Sequence, residues 1–444
     1  METTNRSPRP LNVIRATRLG TARLESPLVA HWSESDVTAP FVAEDAGVPI
    51  NLLDFAGGRS DELFELAGAR RWIYFDPAKT IAGIVTCGGL CPGLNNVVRS
   101  LVLTLHHLYG VRRILGFRYG YHGLNPDNGH PPLELSPEVV SDIHEFGGTI
   151  LGTSRGPEDR AVMVDYLKQL GVNILFTIGG DGTQQGALGL YEEAKRQEYE
   201  LCVIGIPKTI DNDILFVSRT FGFNSAVDCA RGVIDSAHTE ARAVLNGVGL
   251  VRLMGRDSGF IAAGATLASG EVNYCLVPEQ PFELHGPRGL LAVLERRLAL
   301  KKHAVIVAAE GAGQDLIPGS GSERDSSGNI RHADIGGFLR GQINDYFSSK
   351  NIPVNIRYID PSYMIRGIRA NTEDAVLCDM LARNAVHAAM AGITGALIGL
   401  MHEQFVLVPI RLIAGGRKQI SLDGPLWKAV LSTTGQPVTF LNNF

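Results

Sequence analysis

Cysteine is scarce in this chain: six in 444 residues, at 87, 91, 202, 229, 275 and 378. So thin a distribution argues against a disulfide framework, and free buried thiols in a reducing compartment are expected. Cys87 and Cys91 stand at roughly metal-ligand spacing. No second Cys/His pair matches them, so a zinc site is not expected. Long apolar runs are missing too. The most apolar stretch, 386–401, contains His387 and three glycines and reads as a core helix leading into a strand, not a membrane span. There is no excess of positive charge. A net charge of −5 argues against sequence-independent nucleic-acid binding, while leaving room for a local basic pocket. The amino terminus lacks an apolar secretory core. It carries Arg6, Arg9, Arg15, Arg18 and Arg23, with Glu2 the only acid before Glu25. The cytoplasm is the expected compartment, with an organellar leader as the alternative.

What is present is an ordinary globular composition, 45% apolar and 20% charged, in a length that accommodates two or three domains. Short apolar runs at 81–86, 114–117, 174–178, 201–206, 248–254, 274–277 and 304–309 read as strands. Helical patterns at 95–108 and 287–301 lie between them, the second with Leu290, Leu291, Leu294 and Leu298 on one face. Repeated β-α units imply an α/β protein with parallel sheets covered by helices. The segment 315–333, rich in Gly, Ser and charge, reads as a surface loop. The first 75 residues form an extension that this pattern does not need.

Glycine punctuates the ends of these strands. Cys87-Gly88-Gly89-Leu90-Cys91-Pro92-Gly93 follows a strand and opens a helix, which suits either a phosphate cradle or a tight turn that needs glycine for its φ angles. Gly179-Gly180-Asp181-Gly182-Thr183 has the same context. A carboxylate inside a glycine loop suggests a magnesium ligand beside phosphates, and otherwise a helix cap. Alone, this short motif indicates a kinase-type site without naming the substrate. Gly147 to Gly156 adds a glycine turn with Arg155. Arg256 follows the strand at 248–254, Glu310 ends the run 304–309, and Tyr363 and Arg366 supply a phenol and a cation. Each has a bland reading as a solvated loop charge, a turn cap or a surface pair. Pro207-Lys208-Thr209-Ile210-Asp211-Asn212-Asp213 places two acids in one turn beyond a buried strand, where α/β proteins bind ligands. The two acids repel, so a metal, a lysine or a proton must offset the cost. Lys208 could do so without any catalysis.

In order, the motifs GGLCPGLN, GGTILGTSRG, GGDGT, PKTIDND, FGFNSAV, MGRDSGF, AAEG and PSYMIRG resemble the phosphofructokinase family over about 81–395. The pattern is closer to the long ATP-dependent and the pyrophosphate-dependent members than to the short bacterial ones. The resemblance implies two doubly wound Rossmann-like lobes with the site in the cleft, plus an N-terminal extension. The expected boundaries are 1–77 for the extension and 78–222 for an ATP lobe with a return segment at about 367–420. A sugar lobe would span 223–366 and a tail 421–444. By resemblance, Gly89, Arg155, Gly156, Gly180, Asp181, Gly182 and Thr183 would hold ATP, with Asp181 on Mg2+. Thr209, Ile210, Asp211, Met254, Gly255, Arg256, Glu310, Tyr363, Met364, Ile365 and Arg366 would bind fructose 6-phosphate. Asp211 would be the base, aided by Arg155 and Thr209.

Two positions bear on the phosphoryl donor. Gly182 stands where pyrophosphate-dependent relatives carry aspartate, whose side chain would crowd and repel the α-phosphate of ATP. Lys208 is shared with pyrophosphate enzymes. The mixed pattern favours ATP, with pyrophosphate as the alternative and a non-catalytic regulatory subunit as the second. Short bacterial relatives carry a cross-subunit arginine where this chain has Gly247, so their effector sites do not transfer. A homodimer or homotetramer is implied, with no nucleic-acid or membrane partner.

Overall fold

The computed structural model describes residues 12–33, 41–50, 62–324, 331–413 and 416–443. Part of the 315–333 loop and parts of the first 75 residues therefore lie outside the described residues. Five strands form the parallel core of a ten-stranded sheet, in the order Arg113–Phe117, Ile81–Thr86, Ile174–Gly179, Cys202–Pro207, Ala396–Met401. In chain order this is 2-1-3-4-5, the flavodoxin-like winding, with its switch point between Ile81–Thr86 and Ile174–Gly179. Side chains along each strand alternate between two cores. Ile174, Phe176 and Ile178 pack on one face with Ile84 and Ile204, while Leu175 packs on the other with Val85 and Val203. Burial on both faces explains why these strands read as unbroken apolar runs.

The second sheet has four parallel strands, in the order Tyr274–Leu276, His303–Ala309, Gly247–Leu253, Asn355–Ile359. Val251, Leu253, Val305 and Val307 face one helical layer; Val248, Leu250, Ala304 and Ile306 face the other, against Leu290, Leu291, Leu294 and Leu298. The helix read at 287–301 begins at Leu290, after Gly289.

Described segments towards both ends of the chain join the two sheets. Glu62–Leu66 pairs antiparallel with Gln404–Pro409, and Asn12–Ile14 and Gly47–Pro49 pair with Glu62–Leu66, extending the large sheet. The fully buried Glu65 carboxylate is paired by Arg18 (2.5 Å) and Arg70 (3.1 Å), as a charge taken out of water requires. At the other end, Pro425–Thr434 packs Trp427 and Val430 into the core of the smaller sheet.

Candidate active site

The switch point is lined by glycine loops. Gly88 (φ +82) and Gly93 (φ +100) adopt left-handed conformations that carry the chain from strand to helix Leu94–Leu103. Gly88 N donates to Ser154 O (3.1 Å), and Thr153 Oγ1 donates to Gly88 O (2.5 Å), so the loop bearing Arg155 is laid against the first glycine pair. A Cβ on Gly89 would lie 3.3 Å from Arg155 Nη2 and 3.8 Å from Arg366 Nη1, so glycine here lets two guanidinium groups approach the backbone. Asp181 opens helix Asp181–Arg196, where the N-H groups and the dipole favour anions. Gln184 braces the loop by donating to Gly179 O (2.9 Å) and Ile206 O (3.3 Å), and Gly205 leaves it room. A Cβ on Gly182 would meet nothing within 4 Å.

The two-acid turn lies between the sheets. Asn212 takes a left-handed φ of 56°, and its Oδ1 accepts from Thr220 N (3.0 Å), which folds the turn back on itself. Thr209 Oγ1 donates to Asp213 Oδ1 (2.8 Å) and accepts from Asp211 N (3.2 Å). Asp211 Oδ1 is out of solvent contact and has no hydrogen-bond partner. Burial, then the charges of Asp213 and Glu310, push the Asp211 carboxyl up to about 8. Lys208 does not serve as counter-charge in the way the sequence allowed. Its buried ammonium donates to Gly89 O, and burial lowers its pKa. Within the chain itself, Asp211 is therefore left with a raised affinity for a proton.

Facing it, the smaller sheet presents its strand ends. Arg256 follows Gly255 (φ +131), and Glu310 follows the strand His303–Ala309. Helix Ser362–Gly367 carries Tyr363 and Arg366, with the guanidinium 5.1 Å from the ring centroid. The cleft between these faces has a volume of about 1180 Å³. It is lined by the expected Gly89, Arg155, Gly156, Gly180 to Thr183, Lys208 to Asp211, Met254, Arg256, Glu310, Tyr363 and Arg366. Three expected residues are not brought to it. Gly255 shapes the turn, the Met364 side chain is exposed, and Ile365 is buried in the core beside Met254. On a helix, only one face of Tyr363-Met364-Ile365-Arg366 can point into the cleft.

Sequence reasoning missed two arginines. Arg252 lies within a strand and donates to Glu310 Oε2 (3.1 Å) and Asp360 Oδ2 (2.5 Å); Asp360 Oδ1 in turn accepts from Ser362 N (3.0 Å), at the start of the helix bearing Tyr363. A charge inside an apolar run was its only local signal. Arg417 reaches Asp181 Oδ2 with Nε (3.1 Å) and also contacts the Asp257 carboxylate. The run Gly415-Gly416-Arg417-Lys418 was the available hint.

Burial and Asp213 push the Asp181 carboxyl up to about 6, with Arg417 opposing. A carboxyl raised in this way at a helix start, in a cleft lined by several arginines, marks a two-lobed α/β protein whose cleft suits anionic ligands. The phosphofructokinase family profile matches residues 81–389, and the chain belongs to that family. It is 46% identical to the ATP-dependent 6-phosphofructokinase of Borreliella burgdorferi, over 96% of this chain and 97% of that protein. It is 47% identical to that of Amycolatopsis methanolica, over 97% and 96% respectively. Identity to the Trypanosoma brucei brucei enzyme of that name is 49%, over 84% of this chain and 76% of that protein. Among solved structures, the pyrophosphate-dependent phosphofructokinase from Marinobacter aquaeolei matches with a TM-score of 0.66 at 19% identity, over 80% of this chain and 91% of that chain. At that identity the likeness is one of fold.

Proposed function

We propose that this chain is an ATP-dependent 6-phosphofructokinase, transferring the γ-phosphoryl group of ATP to the 1-hydroxyl of fructose 6-phosphate to give fructose 1,6-bisphosphate and ADP. The observation that carries this reading is the position of Asp211. Its unpartnered Oδ1 lies between the phosphate loop of Asp181 and the strand ends bearing Arg256 and Glu310. Phosphoryl transfer asks a protein mainly for positioning and charge neutralisation. Asp211, in its ionised form, accepts the proton of the attacking hydroxyl, and its raised proton affinity suits that role. Thr209 fixes the turn that aims it, and Arg155 faces the transferred group. Arg256 and Arg366 take the sugar phosphate, Glu310 accepts from a sugar hydroxyl, and Tyr363 borders it.

The donor set fits Mg2+. Magnesium takes hard oxygen ligands and commonly needs only one or two carboxylates beside substrate phosphates, and the raised Asp181 carboxyl shows an acid that would gain from a cation. Asp181 would hold the ion, which when bound neutralises phosphate charge. The space around Gly182 suits the α-phosphate of ATP, whereas Lys208 favours the second reading, a pyrophosphate donor. The large lobe is assigned to the nucleotide and the small one to the sugar. A homodimer or homotetramer in the cytoplasm is the proposed setting. Among the described residues, no helix is long and apolar enough to cross a membrane.

The test is turnover of fructose 6-phosphate with magnesium and either ATP or pyrophosphate. Faster turnover with ATP is expected. Faster turnover with pyrophosphate would overturn the donor assignment, and no turnover with either despite ATP binding would make the chain a regulatory subunit.

A further inference from the structure

Residues 416–420 link the two lobes, with Gly416 and Arg417 lining the cleft. Lys418 N donates to Asp213 O (2.7 Å), Gln419 Nε2 to Asp257 O (3.0 Å) and Ile420 N to Glu279 Oε1 (2.9 Å). Asp213 belongs to the turn beyond the large sheet, and Asp257 and Glu279 belong to the small lobe. The segment is thus tied to both sides, which sets the direction of Arg417. Its Nε lies 3.1 Å from Asp181 Oδ2, and its guanidinium also contacts Asp257. Arg417 and Asp181 both line the cleft, and residue 417 lies outside the stretch 81–389 matched by the family profile.

Asp181 is the acid assigned to the donor's metal. One carboxylate oxygen cannot serve a guanidinium and a metal ion at full strength. A guanidinium does not lose its proton in proteins; on leaving Asp181 it keeps Asp257 and frees its Nε edge for a second anion. The arriving donor brings one: its phosphates, whose oxygens match the planar fork of arginine.

We infer that Arg417 is a donor-binding residue that exchanges carboxylate for phosphate, pairing with Asp181 until ATP arrives and then binding the ATP phosphates. The inference rests on the cleft being an ATP site and adds to that site a residue from the carboxyl-terminal return. The bland alternative makes Arg417 a strut between Asp181 and Asp257, with no contact to the donor.

The test is calorimetric binding of ATP in EDTA, which removes metal from the measurement, to the wild-type chain, Arg417→Gln, Asp181→Asn and the double variant. Arg417→Gln is expected to raise Kd about tenfold, the scale of one charge-assisted hydrogen bond. Asp181→Asn is expected to lower Kd several-fold by releasing Arg417 and removing a like charge. Only the second part of that gain should survive in the double variant, so the two changes are non-additive. An unchanged Kd in Arg417→Gln, or an undiminished Asp181→Asn gain in the double variant, would overturn the exchange. Should Arg417→Gln fail to fold, Arg417→Lys keeps the charge and loses the fork. Its Kd is expected to rise several-fold, and a wild-type Kd there would equally overturn the exchange. A wild-type chain that binds no ATP even with magnesium would sink the underlying functional reading. Normal wild-type binding with an unresponsive Arg417→Gln sinks only this inference.

Discussion

Asp211, the proposed base, is a carboxyl whose charged form the fold disfavours. Asp211→Asn is expected to reduce kcat at least ~100-fold, the scale of a lost general base, with a small change in the affinity for fructose 6-phosphate. The same substitution should stabilise the protein at alkaline pH. The carboxyl is raised from 3.8 to about 8 in the fold, so between those values the native state holds a proton that the unfolded chain releases. That contribution is complete at acid pH and is lost as pH rises through about 8. Melting temperatures of variant and wild type should therefore converge near pH 4 and diverge in favour of the variant by pH 8 to 9; a constant difference would refute the raised carboxyl. At Gly182 the prediction is opposite in kind. Open space around its Cβ means that Gly182→Asp should leave the melting temperature nearly unchanged, yet raise KM for ATP through crowding and like-charge repulsion. An unchanged KM would end the steric argument for ATP. Asp211, Asp181 and Arg256 were legible in the sequence because each sits in a glycine-marked turn just beyond an apolar run. Arg252 and Arg417 were not, because their local sequence is ordinary and only their neighbours in space give them a role.

At the scale of elements, glycine sets the distances between helices, strands and loops. A Cβ on Gly247 would lie 2.0 Å from Ala241 O, so the strand Gly247–Leu253 starts where the end of helix Phe223–Arg242 leaves no room for a side chain. A side chain as long as arginine cannot be placed there without moving the helix end. Gly247→Ala is expected to cost ~1–3 kcal/mol by overpacking, read as a lower urea midpoint at unchanged slope. A midpoint within error of wild type would show that the helix end can yield. Similarly, a Cβ on Gly147 would meet Gly367 O at 1.8 Å, where the loop of Arg155 touches the end of the helix carrying Arg366. Strands buried on both faces were readable from their apolar runs. Short edge strands such as Asn12–Ile14 and Gly47–Pro49 were not, since a three-residue strand has no period to detect.

For the molecule as a whole, segments distant in sequence complete both sheets. The segment before residue 67 widens the large sheet, and the carboxyl-terminal helix returns to the small one, so each lobe is built from residues far apart in sequence. Trp427 is almost wholly buried against the small sheet's core. Trp427→Ala is expected to cost ~3–5 kcal/mol in chemical unfolding, with the loss carried by the small lobe. A cost below about 1 kcal/mol would show that the return helix is an accessory. Such a loss should also weaken fructose 6-phosphate binding more than ATP binding, if the small lobe holds the sugar as proposed.

The sequence by itself determined the parallel α/β architecture and the order of the glycine and acidic turns, because strand burial and glycine geometry are written locally; the family came from the resemblance of its ordered motifs. Only the tertiary structure decided how the acids are balanced. Lys208 turned to Gly89, Thr209 took Asp213, Arg417 came from 236 residues away to Asp181, and Asp211 was left with a raised proton affinity. Charge balance in a cleft depends on distances through space and on exclusion of water, and neither is encoded in the spacing of residues along the chain.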